Sequence, residues 1–295
     1  MPSLKEVRTR IASVNSTKQI TQAMKMVSAS KLRRSQNAIL KLRPYAAKLR
    51  EILQNLSDSI ENTEAASYFE ERKSEKVLIM VVSSNRGMCG AFNTNVIKLV
   101  NVLLHDKYKR EYANNNVELL CIGRKAGDFF ARRNYIIKDR LDHLFDKLTF
   151  DNVSAVAEQL MVEFRSKKYD RIEIVYNRFK NAATQILVNE QFLPILPPAE
   201  DKMVTAKTSA DYIFEPNKQE ILNELVPKTL KVQLYKVVLD SFASEQGARM
   251  TAMHKATENA TEMIKQLKLS YNKARQASIT KEILEIVSGA EALNG

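Results

Sequence analysis

Three histidines, two cysteines and one glycine-flanked turn hold most of this chain's capacity for chemistry. Two histidines four residues apart on a helix, with a glutamate beside the first, could hold a metal and a general base. A Cys-x-x-Cys pair could exchange a disulfide or bind zinc, and a glycine-rich loop ending in Gly-Lys-Ser/Thr could cradle phosphates. None of these spacings is present. His105, His143 and His254 stand far apart, and Cys89 and Cys121 are separated by 32 residues. Gly87 and Gly90 follow an apolar run, but a third glycine at the dinucleotide spacing and the Gly-Lys-Ser/Thr are both missing. No Gly-x-Ser-x-Gly elbow occurs. The histidines therefore read as packed or surface groups, the cysteines as small buried hydrophobes, and the glycine turn as structural. The chain is expected to have no catalytic residue, no cofactor and no metal.

The elements that would carry any other function are set out by charge and aromatic content. The 295 residues have a formal charge of +12. Residues 1–50 hold twelve basic residues against Glu6 alone, and so carry eleven of those charges. Of the 21 Phe and Tyr, 17 lie between Tyr68 and Phe214, and the first glycine is Gly87. Aromatics fill compact cores and glycines permit sharp turns, so a globular middle is expected between two helical ends. An Arg-rich, acid-poor start can mimic a mitochondrial transit peptide, yet the pattern continues for some sixty residues and reads as mature structure. No apolar run reaches the length needed to span a bilayer.

Both ends show the alternating three-and-four spacing of a coiled-coil seam. At the start the spacing runs Leu4, Val7, Ile11, Val14, then resumes at Leu32 and continues through Ile39, Leu42, Ala46, Leu49, Leu53, Leu56 and Ile60. After Pro227, a stripe through Leu230, Leu234 and Val237 leads into Met250, Met253, Thr257, Ala260, Ile264, Leu267, Tyr271 and Ala274. It then shifts to Ile279, Ile283, Ile286 and Ala290. Helices over about 4–60 and 228–290 are too long to be buried along one compact domain, and an antiparallel pair within the chain is favoured over a dimer. Pro44 and Pro227 predict a kink or a helix boundary. Between Ile11 and Leu32 the seam positions fall on polar Lys18, Thr21, Lys25 and Ser28, while Ile20, Ala23, Met24, Met26 and Val27 form a rotated stripe. Two readings stay open: a stutter in the supercoil, or a stretch that faces something besides its partner helix.

In the middle, KVLIMVVSS (Lys76–Ser84), VELLCIG (Val117–Gly123) and DRIEIVYNR (Asp170–Arg178) read as buried strands. Helical stretches are expected over about Thr94–Tyr112, Arg124–Arg133 and Asn152–Lys167, with a strand or hairpin over Ala183–Leu196. Strands alternating with helices predict a three-layer α/β domain with a mostly parallel sheet. Glu70-Glu71-Arg72-Lys73 reads as a solvated linker. The expected division is an N-terminal coiled-coil helix over 1–66, a central α/β domain over 67–216 and a C-terminal coiled-coil helix over 217–295.

Four segments carry a family resemblance: Ile11–Gln36, the turn SSNRGMCGAFN (Ser83–Asn93), Ala243–Ile264 and Tyr271–Leu293. In this order and over this length the chain resembles the gamma subunit of the bacterial F-type rotary ATP synthase. That resemblance implies an antiparallel coiled coil with an α/β domain at its base, forming the non-catalytic shaft inside a ring of three alpha and three beta subunits. It implies a foot that meets the epsilon subunit and the ring of c subunits, at the cytoplasmic face of the inner membrane and held there by the complex alone. An acidic loop of beta would reach the shaft near Met24 and the Arg275-Gln276 pair. Lys18, Lys25, Lys31, Arg33 and Arg34 would be its electrostatic counterpart, and Thr280 and Glu282 fall in the matching C-terminal segment. At the foot, Phe214 and Glu215 would contact the c ring.

Two other classes compete. The basic segment could bind nucleic acid, but the ATPase head motifs of chromosome-organising coiled-coil proteins are missing. An enzyme on the α/β domain would rest on Gly87 and Gly90 alone. The expectation is therefore a rotor shaft with protein partners and no nucleic acid.

Overall fold

The computed structural model describes residues 3–55, 64–195 and 217–294. By internal packing these fall into two compact units, Ser30–Ala248 and the pair Met1–Ala29 with Arg249–Gly295. The chain begins with a 52-residue helix, α1 (Leu4–Asn55), and ends with a 77-residue helix, α6 (Lys218–Asn294).

The larger unit is built on a five-stranded sheet in the order β3-β2-β1-β4-β5. Its strands are β1 (Val77–Val82), β2 (Val117–Ile122), β3 (Ile137–Arg140), β4 (Arg171–Phe179) and β5 (Gln185–Leu193). The first four are parallel, and β5 folds back antiparallel on β4 as a hairpin. All six residues of β1 are fully buried, as expected of a strand covered on both faces. Its side chains divide by the two-residue period of the pleat. Leu78, Met80 and Val82 pack with α5 (Phe150–Arg165) and with Leu222, Val226, Leu230, Leu234 and Val238 of α6. Val77, Ile79 and Val81 pack on the other side with α2 (Phe92–Val102) and α4 (Arg124–Ala131). The three-layer α/β architecture between long terminal helices is as expected from the sequence.

Several local expectations are corrected. The helix predicted over Thr94–Tyr112 is three pieces, α2, a π-helical turn (Leu103–Lys107) and α3 (Lys109–Ala113). The wider π turn brings Lys107 and Tyr108 together onto the buried carboxylate of Glu173, which also accepts from Asn189 Nδ2 at 2.8 Å. Burial and that carboxylate push the Tyr108 phenol above its ordinary range. Strand β3, short and polar, is an addition. The 70–73 linker is not fully solvated: the Arg72 side chain is largely buried, lies over the Phe164 ring and donates to the Phe164 carbonyl at 3.2 Å.

Pro44 and Pro227 end neither helix; both lie inside continuous ones. Helix α6 starts at Lys218, ten residues before the helix read from the apolar stripe after Pro227 and at the expected segment boundary of 217, where Asn217 supplies an N-cap. Asn217 Oδ1 accepts from the Glu220 backbone N–H at 2.8 Å, the bond of an N-cap, and Asn217 Nδ2 donates to Glu220 Oε1 at 2.8 Å, which ties the two side chains together. Proline costs an interior helix a hydrogen bond and a clash worth about 3 kcal/mol. Burying Leu222, Val226 and Leu230 around Pro227 offsets it, since each full aliphatic burial contributes roughly 1.5–3 kcal/mol.

The turn after β1 is closed by its own polar groups. Asn93 Oδ1 accepts from the Ser84 backbone N–H at 3.0 Å, and Ser84 Oγ donates to the Arg86 carbonyl at 2.6 Å. The first N–H groups of α4 are likewise taken: Arg124 donates to Asn85 Oδ1, Lys125 to the Ser84 carbonyl and Ala126 to Ser83 Oγ. The expected structural turn thus stands on bonds that leave little for a phosphate. Gly123 makes the approach possible: at φ +97, an added Cβ would sit 2.3 Å from the Ser83 carbonyl oxygen.

Near the upper end of its packed stretch, α6 turns polar inside. Asp240, Ser241, Ser244, Glu245 and Gln246 are all buried. Burial pushes the Asp240 carboxyl up to about 6, Glu190 adds to the shift, and Lys236, Arg43 and Arg178 oppose it. The folded state therefore holds the Asp240 proton more tightly than the unfolded chain, whose carboxyl titrates near 3.9. Stability attached to this group falls as pH rises from about 4 through about 6. Asp240→Asn should gain up to about 3 kcal/mol at pH 7.5, and most of that gain should be lost at pH 4. Thermal midpoints of both proteins at the two pH values check this, and an equal shift at both would contradict it.

Candidate functional site

The smaller unit pairs the start of α1 with the end of α6, antiparallel. Arg8 Nη2 donates to Tyr271 Oη at 2.9 Å, Thr21 Oγ1 and Thr257 Oγ1 lie 2.8 Å apart, and Lys25 Nζ lies 3.3 Å from His254 Nδ1. As α1 advances, its partner position on α6 falls back. The Arg8 guanidinium also sits 5.8 Å from the centroid of the Tyr271 ring, and its hydrogen bond holds that phenol below the ordinary tyrosine value.

Burial resolves the two readings of the polar stretch. Along α1 the covered positions run Leu4, Val7, Ile11, Val14, Lys18, Thr21, Lys25 and Ser28 without a break in the alternation of three and four. Thr21 is 8% exposed and Ser28 2%, whereas Ile20, Met26 and Val27 are 60%, 62% and 56% exposed. There is no stutter: the register is kept, polar side chains occupy the seam, and apolar ones point outward. Opposite them, Met253, Thr257, Ala260, Ile264, Leu267, Tyr271, Ala274 and Ser278 form the covered stripe of α6.

Past Ser278 the pairing ends. Every residue from 279 to 291 is exposed, including Ile279, Ile283, Leu284, Ile286 and Val287. Leu4, at the start of α1, and Ser278 mark the last covered positions of the two stripes, so the final turns of α6 extend as a single helix. Five large apolar side chains within nine residues of an unpaired helix are an exposed patch of the kind that marks an interaction surface.

The residues implied by the resemblance occupy separate places. Lys18, Met24 and Lys25 are half-buried at the polar part of the seam, and Lys31, Arg33 and Arg34 are exposed farther along α1. Arg275, Gln276, Thr280 and Glu282 are exposed near the end of α6, where Thr280 Oγ1 donates to the Gln276 carbonyl at 2.9 Å and Glu282 Oε1 accepts from Ser278 Oγ at 3.4 Å. Met24 is level with α6 residues 254–257, by the Lys25 and Thr21 pairings. Arg275 is about twenty residues farther along α6, roughly 30 Å at helical rise. Met24 and the Arg275-Gln276 pair, which the resemblance places near one loop, therefore stand at two levels of the paired helices. Phe214 and Glu215 lie outside the described residues. The resemblance passed over Thr21, Thr257 and His254 as a connected group, although the polar break in the seam pointed to one half of it.

Among the described residues, no group of His, Cys, Asp and Glu has the arrangement of a metal site. Cys121 is buried, and burial pushes its thiol up to about 12, which leaves it unreactive at neutral pH. The chemical capacity of the paired helices is contact: cations, outward aliphatics and one adaptable methionine. The register makes one direct demand. The double substitution Thr21→Cys with Thr257→Cys should form an intrachain disulfide under mild oxidation. A Thr21→Cys with Ile264→Cys control, one heptad out of register, should remain reduced; thiol titration and peptide mapping read both.

Comparison with known proteins accords with this architecture. The family model described as ATP synthase matches residues 3–293. An ATP synthase gamma chain from Cytophaga hutchinsonii is 56% identical over 294 residues, covering all of both chains, and one from Flavobacterium psychrophilum is 56% identical over 296 residues, again covering all of both. Among solved structures, a chain of the Euglena gracilis mitochondrial ATP synthase in the OSCP/F1/c-ring assembly matches with a TM-score of 0.69 at 24% identity, over 98% of this chain and 94% of that one. At that identity the likeness speaks for the fold. The relatives speak for the family: this chain belongs to the ATP synthase gamma chains.

Proposed function

We propose that the chain is the central rotor shaft of a bacterial F-type ATP synthase, a subunit that performs no bond chemistry itself. The observation that carries this reading is the paired-helix unit, with its polar seam, outward aliphatic stripe and unpaired, apolar end of α6. A shaft of this kind works by differential binding. Three equivalent catalytic sites can be driven apart in affinity only by something asymmetric that favours a different state at each. Two unlike helices side by side present a different face in every direction, and turning them exchanges which site meets which face.

The partners in this reading are an alpha3–beta3 ring around the shaft, an epsilon subunit and a c-subunit ring at its foot. The acidic loop of beta meets the lower level, Lys18, Met24, Lys25, Lys31, Arg33 and Arg34. A second contact of the ring meets Arg275, Gln276, Thr280 and Glu282. Phe214 and Glu215 meet the c ring, the shaft segments being 1–66 and 217–295 and the foot domain 67–216. Among the described residues no helix is long and apolar enough to cross a membrane; in this reading the chain is held at the cytoplasmic face of the inner membrane by the complex. The eleven-charge excess of residues 1–50 then serves a protein surface, with no part for nucleic acid.

Reconstitution tests the reading. The purified chain alone should hydrolyse no ATP, and a complex lacking it should lose proton-driven synthesis. Replacing Ile283 and Ile286 by Asp, both exposed and unpaired, should leave the isolated chain folded and lower the coupled rate several-fold, read as ATP formed per imposed proton gradient. Full synthesis by a complex assembled without the chain would overturn the proposal.

A further inference from the structure

The outward face of α4 has no part in the shaft. Lys125, Asp128 and Phe129 of α4, with Arg132 and Arg133 in the turn that follows Ala131, line a depression of about 410 Å³. This is within the size range of small-molecule sites, roughly 300–1,000 Å³. Three of the five are exposed cations, and among the described residues none of the three makes an ion pair. The single acid is already committed: Asp128 Oδ1 accepts from Arg140 Nη2 at 2.7 Å. The depression therefore keeps three positive charges with no local counter-charge.

One of those cations is held in place. The Arg133 guanidinium lies 3.7 Å from the centroid of the half-buried Phe129 ring. Stacking fixes the plane of the fork while its N–H edge remains open, and a fixed planar fork matches two oxygens of a tetrahedral oxyanion. Lys125 lies eight residues earlier in the chain, near the start of α4, about 12 Å away at helical rise. A single phosphate cannot span that distance, whereas a chain of two or three phosphates can. The backbone N–H groups at the start of α4 are taken by Asn85, Ser84 and Ser83, so side chains alone would provide the binding.

We propose that the α4 face is a binding site for a small polyphosphate anion, with Arg133 presented on Phe129 as its fork and Arg132 and Lys125 holding the remaining charge. The anion is a nucleoside triphosphate or an inorganic polyphosphate, and the proposal is independent of the shaft reading.

Calorimetry on the full chain at about 0.15 M salt, without magnesium, tests it with tripolyphosphate, ATP, AMP and an oligo-aspartate peptide. Tripolyphosphate should bind at one site with a Kd on the order of 0.1 mM, and AMP at least about tenfold more weakly. Equal affinity for ATP identifies the triphosphate alone as the determinant, and tighter ATP binding assigns the site to nucleotides. Arg133→Ala and, separately, Arg132→Ala should each weaken binding about tenfold; Arg133→Lys and Phe129→Leu, which keep the charge and remove the fork or its platform, should weaken it several-fold. Because α1 carries most of the chain's charge, Lys5→Ala with Arg10→Ala is the control and should change nothing. No binding up to 10 mM overturns the proposal. So does affinity that follows the α1 control instead of α4, or oligo-aspartate binding more tightly than tripolyphosphate through the same residues.

Discussion

The alternation of three and four residues along α1 is the constraint from which the rest of the paired-helix unit follows. It holds from Leu4 to Ser28 without interruption, through four positions that carry Lys, Thr, Lys and Ser. A helix can keep its register through such a stretch only if neighbouring layers supply enough apolar contact. Here Val7, Ile11 and Val14 meet Ile264, Leu267 and Tyr271 on one side of the polar layers. Keeping the register has a geometric consequence. Ile20, Met26 and Val27 have no route into the seam, because each lies one or two positions off the covered stripe. Their exposure follows from the helix period once the register is fixed.

The polar layers are not costless. A threonine pair in a seam replaces two aliphatic contacts, and the hydroxyls of Thr21 and Thr257 each also reach a carbonyl of their own helix, at 3.0 and 2.8 Å. Two hydroxyl hydrogens are thus shared among three short contacts, so one contact is always unfilled by a hydrogen. An apolar pair there would make a more stable coil. What the polar choice provides is a seam that does not compete for the aliphatic side chains beside it.

Much of this was legible in the sequence, and the rest was not for identifiable reasons. The seam was legible because periodicity is a property of spacing alone; the polar positions named from spacing are the ones the structure covers. The buried run of β1 announced itself by composition. Strand β3 did not, since four residues reading Ile-Lys-Asp-Arg on a sheet edge satisfy no hydrophobic pattern. Pro227 misled because a local rule was applied where tertiary burial overrides it, while the Asn217–Glu220 cap three residues apart was present and unread. The separation of Met24 from Arg275 could not be read from motifs. Motifs fix order along the chain, and only the pairing register converts order into level.

Residues 1–50 break three rules of a self-sufficient coiled coil at once. They place polar groups in the seam, aliphatic groups outside it, and eleven net positive charges along one helix. Lys31 and Arg34, three residues apart on the helix, are neighbours of like charge, a pairing that costs stability. Each departure within residues 4–29 lowers the stability of the helix pair taken alone. Where local choices agree with the fold, a sequence is consistent at every level; coordinated departures over one segment mark a surface shaped by something outside the fold. The inward-facing terms are sacrificed over the same turns in which the outward-facing terms are enriched. That coincidence is hard to reconcile with a solvated face, for which water would tolerate the charges but gain nothing from Ile20, Met26 and Val27. It is the pattern expected of a helix pair whose outward face meets a second surface, as the proposed shaft requires.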